Sequence, residues 1–251
     1  GSMLTEKKRL ENDWSLYSSP GMDITIAFMG LSPLLEGEEG EAILSDNGDR
    51  GEISLPEVQL DYLRKLAVSG GKVVLVLSGG SPLALDGLED LVDAILYVWY
   101  PGQEGGAAIA DVLFGDVNPA GRLPLTFPKS LAQLPDFEDY EMTNRTYRYS
   151  SADPLFPFGF GLSYTQFTYG PLVLENAKIQ VGQPLRARLA LTNTGNAAGE
   201  EVVQVYLSDL QASAPVSRHH VVYFRRVGLA AGETRKLVFE LPADTMAFIG
   251  E

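Results

Sequence analysis

At 251 residues the chain is longer than most single domains, and its composition, 45% hydrophobic and 21% charged, is that of a packed globular protein. The formal net charge of −14 argues against nucleic acid, whose binding depends on neutralised phosphates, and no apolar run approaches the roughly 20 residues of a membrane helix. The absence of cysteine excludes disulfides and thiolate metal sites, and it leaves the cellular compartment open.

The first 130 residues predict an α/β domain behind a short lead-in. Residues 1–21 begin with Gly1-Ser2-Met3, typical of an expression tag, and are interpreted as that remnant and a lead-in segment. Continuous apolar runs predict three buried strands, at residues 23–30, 73–77 and 93–99. Helical spacing predicts three helices, at residues 57–69, 83–91 and 105–114. Alternating strands and helices over residues 22–130 predict a mainly parallel sheet.

The rest of the chain predicts a second, all-β domain. Residues 131–166 are rich in aromatic, proline and glycine residues and are interpreted as a linker. Residues 167–251 carry alternating strand patterns and predict a sandwich of the fibronectin III type. Its four or five strand signals are fewer than a seven-stranded sandwich needs, so we expect an incomplete sandwich. An open sheet edge would favour a homo-oligomer formed through that edge.

An acidic, glycine-rich loop follows the first predicted strand. Its carboxylates are Glu36, Glu38, Glu39 and Glu41. Ligands bind at the carboxyl ends of strands in open α/β sheets, and crowded charges raise the pKa of one carboxyl towards that of a general acid. From the residues alone, an acidic surface loop is the competing interpretation.

Several motifs in fixed order give the chain a more specific resemblance. They are Glu36-Gly37-Glu38, Gly48-Asp49-Arg50, Leu55-Pro56, Gln59, Trp99-Tyr100-Pro101-Gly102-Gln103, Gly115-Asp116-Val117-Asn118-Pro119-Ala120-Gly121-Arg122-Leu123-Pro124 and Phe158-Gly159-Phe160-Gly161-Leu162-Ser163-Tyr164. Together they resemble glycoside hydrolase family 3. The segments Leu34 to Glu38 and Arg145 to Tyr149 look most like its bacterial β-xylosidase and β-glucosidase branch.

The resemblance implies that two different domains supply the two catalytic carboxyl groups. In the family, a preceding (β/α)₈ barrel supplies the aspartate nucleophile, the α/β domain lends the acid/base glutamate, and a fibronectin III-like domain comes last. By position the acid/base maps to Glu38, with Glu36 as the alternative. No barrel is present, so we expect a C-terminal fragment that is inactive alone and needs the missing barrel in cis or in trans. The implied substrate is a β-linked oligosaccharide or aryl glycoside, and a periplasmic or secreted location is typical of the family.

Further candidates are weaker. Trp99 is expected to buttress the site, with sugar contact as the alternative, and Arg145, Tyr147 and Arg148 are candidates for the border of an outer sugar subsite. No cofactor or metal site is predicted, and His219-His220 is interpreted as part of a polar loop. The competing function is a non-catalytic accessory module that binds carbohydrate or a partner chain.

Overall fold

The computed structural model describes residues 14–36 and 50–247. It divides the chain into two compact units, each described below by itself. The first contains residues up to 109 together with 127–136 and 153–156, and the second contains 110–126, 137–152 and the residues from 157 onward. The predicted linker thus contributes residues to both units, and the predicted domain bounds remain a prediction.

The first unit is built on a three-stranded parallel sheet. Its strands are β1 (Thr25–Gly30), β2 (Val73–Ser78) and β3 (Ala94–Tyr97), in that order across the sheet. Its helices are α1 (Trp14–Ser18), α2 (Pro33–Glu36), α3 (Glu57–Ala67) and α4 (Gly105–Phe114), of which the last continues into the second unit. The register aligns β1, β2 and β3 so that their carboxyl ends meet at one edge. The predicted parallel α/β arrangement is confirmed.

One face of this sheet carries the main core of the first unit. Side chains from alternate positions of β2, among them Leu75, are buried together with Leu60, Leu63 and Leu66 of α3. The three helical leucines are three residues apart, the spacing that places side chains on one side of a helix. Burial of this apolar stripe holds α3 against the sheet, because a fully buried leucine contributes about 1.5–3 kcal/mol.

The helix predicted at residues 83–91 is wrong. Leu83 and Leu85 are buried in extended chain, and Ala84 between them forms a parallel β-bridge with Ser54. Asp86 and Gly87 then take positive φ angles of 52° and 85°, which no right-handed helix accommodates. Only a short 3₁₀ turn, Leu88–Asp90, remains of the predicted helix.

The second unit is antiparallel. It contains α5 (Thr146–Tyr149) and the strands β4 (Phe167–Tyr169), β5 (Val173–Leu174), β6 (Leu185–Asn193), β7 (Gly199–Leu207), β8 (His220–Leu229) and β9 (Thr234–Leu241). One sheet joins β4, β5 and β9 to β6, and β7 pairs with β8. Alternate residues of these strands, including Leu191, Val203 and Phe239, form its core. The predicted antiparallel region is confirmed.

The strand β8 was missed, because its first residue was assigned to a polar loop. His220 begins this strand, and His219 lies beside the rings of Tyr147 and Tyr206 at 5.6 Å between centroids.

No described helix is long and apolar enough to cross a membrane.

Candidate active site

Glu36 is the last residue of α2, which follows β1 in the sequence. Its carboxylate is surrounded by hydrogen-bond donors. The backbone N–H of Gly80 donates to Oε2 at 2.7 Å. The hydroxyl of Ser81 donates to Oε1 and the phenol of Tyr100 donates to Oε2. The guanidinium of Arg50 lies 3.8 Å from Oε1. We call Glu36, Arg50, Gly80, Ser81 and Tyr100 the Glu36 cluster.

The sheet brings the Glu36 cluster together. Gly80 and Ser81 follow the end of β2, and Tyr100 follows the end of β3. Because β1, β2 and β3 are parallel and in register, the segments that follow them emerge at the same edge. The cluster therefore occupies the position at which open α/β sheets bind ligands.

These donors keep Glu36 ionised. Burial raises the pKa of its carboxyl, but the hydrogen bonds from Ser81, Tyr100 and Gly80 and the charge of Arg50 outweigh burial and leave the pKa below its ordinary value. Burial and the neighbouring carboxylate raise the pKa of Tyr100 to about 12. A lowered pKa favours the ionised carboxylate, which accepts hydrogen bonds and carries no proton to donate.

Arg50 completes the cluster indirectly. Its Nη2 donates to the Ser81 hydroxyl at 2.6 Å, and the same hydroxyl donates to Glu36. The arginine side chain is only 9% exposed, and its Nη1 is buried with no hydrogen-bond partner in the part of the chain that the structure describes. A buried guanidinium nitrogen without a hydrogen-bond partner is unfavourable.

The primary acid/base candidate, Glu38, lies outside the described residues, and its assignment stays a prediction. Of the sequence candidates, Glu36 and Trp99 both belong to the first unit. The indole of Trp99 packs edge-on against Tyr97, 4.7 Å between ring centroids, and against Phe127 at 6.2 Å. Both interpretations of Trp99, a buttress of the site and a sugar contact, stay predictions.

Arg145, Tyr147 and Arg148 belong to the second unit. Arg145 donates from Nε to the carbonyl of Glu141 at 3.1 Å, and the carbonyl of Arg148 accepts from the N–H of Arg218 at 2.8 Å. Tyr147 stacks on Phe158, with 4.1 Å between centroids and 14° between the planes. Their role at a sugar subsite stays a prediction.

Sequence reasoning missed Ser81 and Tyr100 as members of the site. Ser81 stands in Gly79-Gly80-Ser81-Pro82, a run typical of a tight turn, and Tyr100 appeared only within a longer motif. The available signal was their place directly after predicted strands, where functional side chains of parallel sheets concentrate. Within the described residues, no group of three or more histidine, aspartate or glutamate side chains could hold a metal ion.

The motifs and the fold agree with a known family. The model of the glycosyl hydrolase family 3 C-terminal domain matches residues 15–164. The chain belongs to this family. A fibronectin type III-like domain matches residues 201–251, so the antiparallel unit is also of the expected kind.

Curated relatives are glycosidases by name and are much longer than this chain. A xylan 1,4-beta-xylosidase of Xylanibacter ruminicola is 43% identical over 231 residues, which cover 91% of this chain and 26% of the relative. A periplasmic beta-glucosidase of Salmonella typhimurium is 35% identical over 94% of this chain and 31% of its own length. The chain thus spans about a quarter to a third of these relatives.

Solved structures named as beta-glucosidases have the same fold as this chain. A beta-glucosidase from Listeria innocua in complex with isofagomine aligns with a TM-score of 0.77 and 31% identity, over 92% of this chain and 33% of that one. The Bifidobacterium adolescentis GH3 beta-glucosidase aligns with a TM-score of 0.82 and 29% identity, over 95% and 36%.

Proposed function

We propose that this chain is the C-terminal part of a retaining, exo-acting β-glycosidase and supplies its general acid/base, Glu38, while a barrel supplies the nucleophile. The relatives are named for β-xylosides and β-glucosides, so the proposed substrate is a terminal β-xylosyl or β-glucosyl unit of an oligosaccharide or aryl glycoside. The single observation that carries the proposal is the Glu36 cluster. It lies at the edge where open α/β sheets bind ligands, and its central residue, Glu36, is two residues before Glu38.

The proposed reaction uses two carboxyl groups about 5–5.5 Å apart. The barrel carboxylate attacks the anomeric carbon while Glu38 gives its proton to the departing oxygen, and a glycosyl-enzyme forms. Glu38, now a carboxylate, then takes a proton from water as that water displaces the barrel carboxylate. The glycosidic bond is broken, configuration is retained and both carboxyls return to their starting state.

The environment of Glu36 supports Glu38 over Glu36 in this role. A general acid near neutral pH needs a raised pKa, whereas the donors around Glu36 lower its pKa. Glu36 is better suited to hold its neighbours in place as a permanent anion. The alternative register, with Glu36 as the acid, would require breaking hydrogen bonds to Gly80, Ser81 and Tyr100.

The test compares this chain alone with the same chain joined behind, or mixed with, the barrel of a family 3 relative. We expect no turnover of nitrophenyl β-xyloside or β-glucoside by the chain alone, and turnover in the joined or mixed form. In the active form, Glu38→Gln should slow cleavage of poor leaving groups about 10²–10⁴-fold.

Two results would overturn the proposal. Full activity in Glu38→Gln would show that the acid lies elsewhere. Binding of oligosaccharide without turnover in every joined or mixed form, once the barrel is shown to fold, would instead favour the accessory module. Glu57→Gln, which removes a carboxylate that is 74% exposed on α3, is the matched control.

A further inference from the structure

The two described residues that flank residues 37–49 are connected by hydrogen bonds through a third residue. Glu36 precedes this stretch and Arg50 follows it. The Ser81 hydroxyl bridges them, accepting from Arg50 at 2.6 Å and donating to Glu36. Thus one serine, placed by the end of β2, fixes both ends of the stretch that carries Glu38.

The residue that precedes Tyr100 has an unusual backbone conformation. Trp99 has a φ of +54°, a left-handed conformation that bulky residues rarely adopt. Its carbonyl is held by the Ser78 hydroxyl at 2.7 Å and by the N–H of Gly79 at 3.3 Å, while its ring is held by Tyr97. Such conformations are unfavourable and persist where the surroundings impose them.

Gly80 permits the close approach of these groups. A Cβ atom at this position would lie 2.9 Å from Oε2 of Glu36 and 2.9 Å from Cε2 of Tyr100, closer than side-chain carbons approach such atoms. The backbone N–H of Gly80 at the same time donates to Glu36. Glycine at this place therefore leaves room for both side chains.

We propose that Arg50, Ser81 and Tyr100 are positioning residues, which hold Glu36 and thereby fix the two attachment points of the acid/base segment. The proposal rests on the proposed function, since it is Glu38 whose placement it serves. Trp99, with its left-handed conformation, directly precedes Tyr100, and glycine at position 80 leaves room for the Tyr100 ring beside Glu36.

The first test uses the chain as it is and needs no activity. With tyrosine labelled at ¹³Cζ, the Tyr100 resonance, assigned by its loss in Tyr100→Phe, should titrate with a pKa near 12. In Glu36→Gln the pKa of Tyr100 should fall, because the carboxylate that raises it is gone. A Tyr100 that titrates near the ordinary tyrosine pKa of about 10, or is unchanged by Glu36→Gln, would overturn the contact.

The second test uses the active joined or mixed enzyme. Tyr100→Phe and Ser81→Ala should lower kcat about 10- to 100-fold with little change in KM, since a small misplacement of a catalytic group costs about that much. The loss should be larger for sugar or alkyl leaving groups than for dinitrophenyl ones, which need little protonation. Tyr62→Phe, which removes a 2.6 Å hydrogen bond to Ser15, is the control and should show no such dependence.

The outcomes separate the two proposals. If Glu38→Gln has no effect, the proposed function fails. If Glu38→Gln slows poor leaving groups but Tyr100→Phe and Ser81→Ala slow all leaving groups equally or not at all, only the positioning role fails. A rise in KM alone would also overturn it, because it would indicate substrate binding instead of placement of the acid.

Discussion

Both units hold a largely buried carboxylate near an arginine, but the two carboxylates are satisfied in different ways. In the second unit, Glu201 on β7 forms a direct ion pair with Arg122 at 2.8 Å, and both side chains are about 10% exposed. In the first unit, Glu36 is 14% exposed and lies 3.8 Å from Arg50, with Ser81 between them. In the second unit, two opposite charges are joined directly. In the first unit, the charge of Glu36 is surrounded by neutral donors and lies further from its arginine.

The difference shows that the place of a glutamate and an arginine in the fold decides how the glutamate is stabilised. Glu201 lies near the start of β7, opposite Val227 of β8 in the antiparallel pair, where its ion pair can serve packing. Glu36 lies at the carboxyl edge of a parallel sheet, where donors from separate strands converge. A neutral hydroxyl between carboxylate and guanidinium orients both groups while leaving a nitrogen of Arg50 without a partner in the described part of the chain.

The largest effect on folding should follow from breaking the ion pair of the second unit. Arg122→Met leaves Glu201 buried without its charge partner, so we expect the free energy of unfolding to fall by about 3–5 kcal/mol. Arg226→Met is the matched control, since Arg226 pairs with Glu200 at 3.0 Å while both are about half exposed, and its loss should cost at most about 1 kcal/mol. Urea unfolding measures both, and equal effects would contradict the assigned difference.

A smaller effect should follow from crowding the Glu36 cluster. Gly80→Ala places a methyl group 2.9 Å from Glu36 and Tyr100, and overpacking of this kind costs about 1–3 kcal/mol. Gly106→Ala in α4 is the control: nothing lies within 4 Å of its Cβ position, and alanine favours helix, so it should be neutral or stabilising. The midpoint of thermal unfolding should therefore fall in Gly80→Ala and stay unchanged or rise in Gly106→Ala. A Gly80→Ala variant as stable as the original chain would contradict the close approach.

The fold was predictable to the extent that burial leaves a pattern in the sequence. Continuous apolar runs identified the strands that became β1, β2 and β3, and helical spacing identified α4 with its observed bounds. The failure at residues 83–91 came from the positive φ angles of Asp86 and Gly87, which a pattern of apolar residues does not reveal. The strand β8 was missed because it opens with a polar His220.

The site was predictable only in part, because its members are distant in sequence. The sequence identified the acidic loop as a candidate catalytic segment. Within it, Glu36 accepts hydrogen bonds from Gly80, Ser81 and Tyr100. Its partners Ser81 and Tyr100, however, are 45 and 64 residues away. Only the register of three parallel strands brings them to one edge, and register follows from packing across the whole sheet.

The smallest expected effect concerns the dependence of stability on pH. Because the pKa of Glu36 is lower in the folded chain than the ordinary 4.5, its ionised form stabilises the fold above about pH 4.5. That contribution is lost as the pH falls from about 4.5 through the lowered pKa, since the carboxyl must then be protonated in the folded chain. Glu36→Gln should remove this dependence, so the difference in unfolding free energy between the two chains should shrink on acidification over that range. Tyr100→Phe removes one of the donors and should remove part of the dependence. Urea unfolding at a series of pH values measures the differences. A difference between the original chain and Glu36→Gln that stays constant or grows on acidification would show that Glu36 is not held as an anion, and the contrast with the directly paired Glu201 would then disappear.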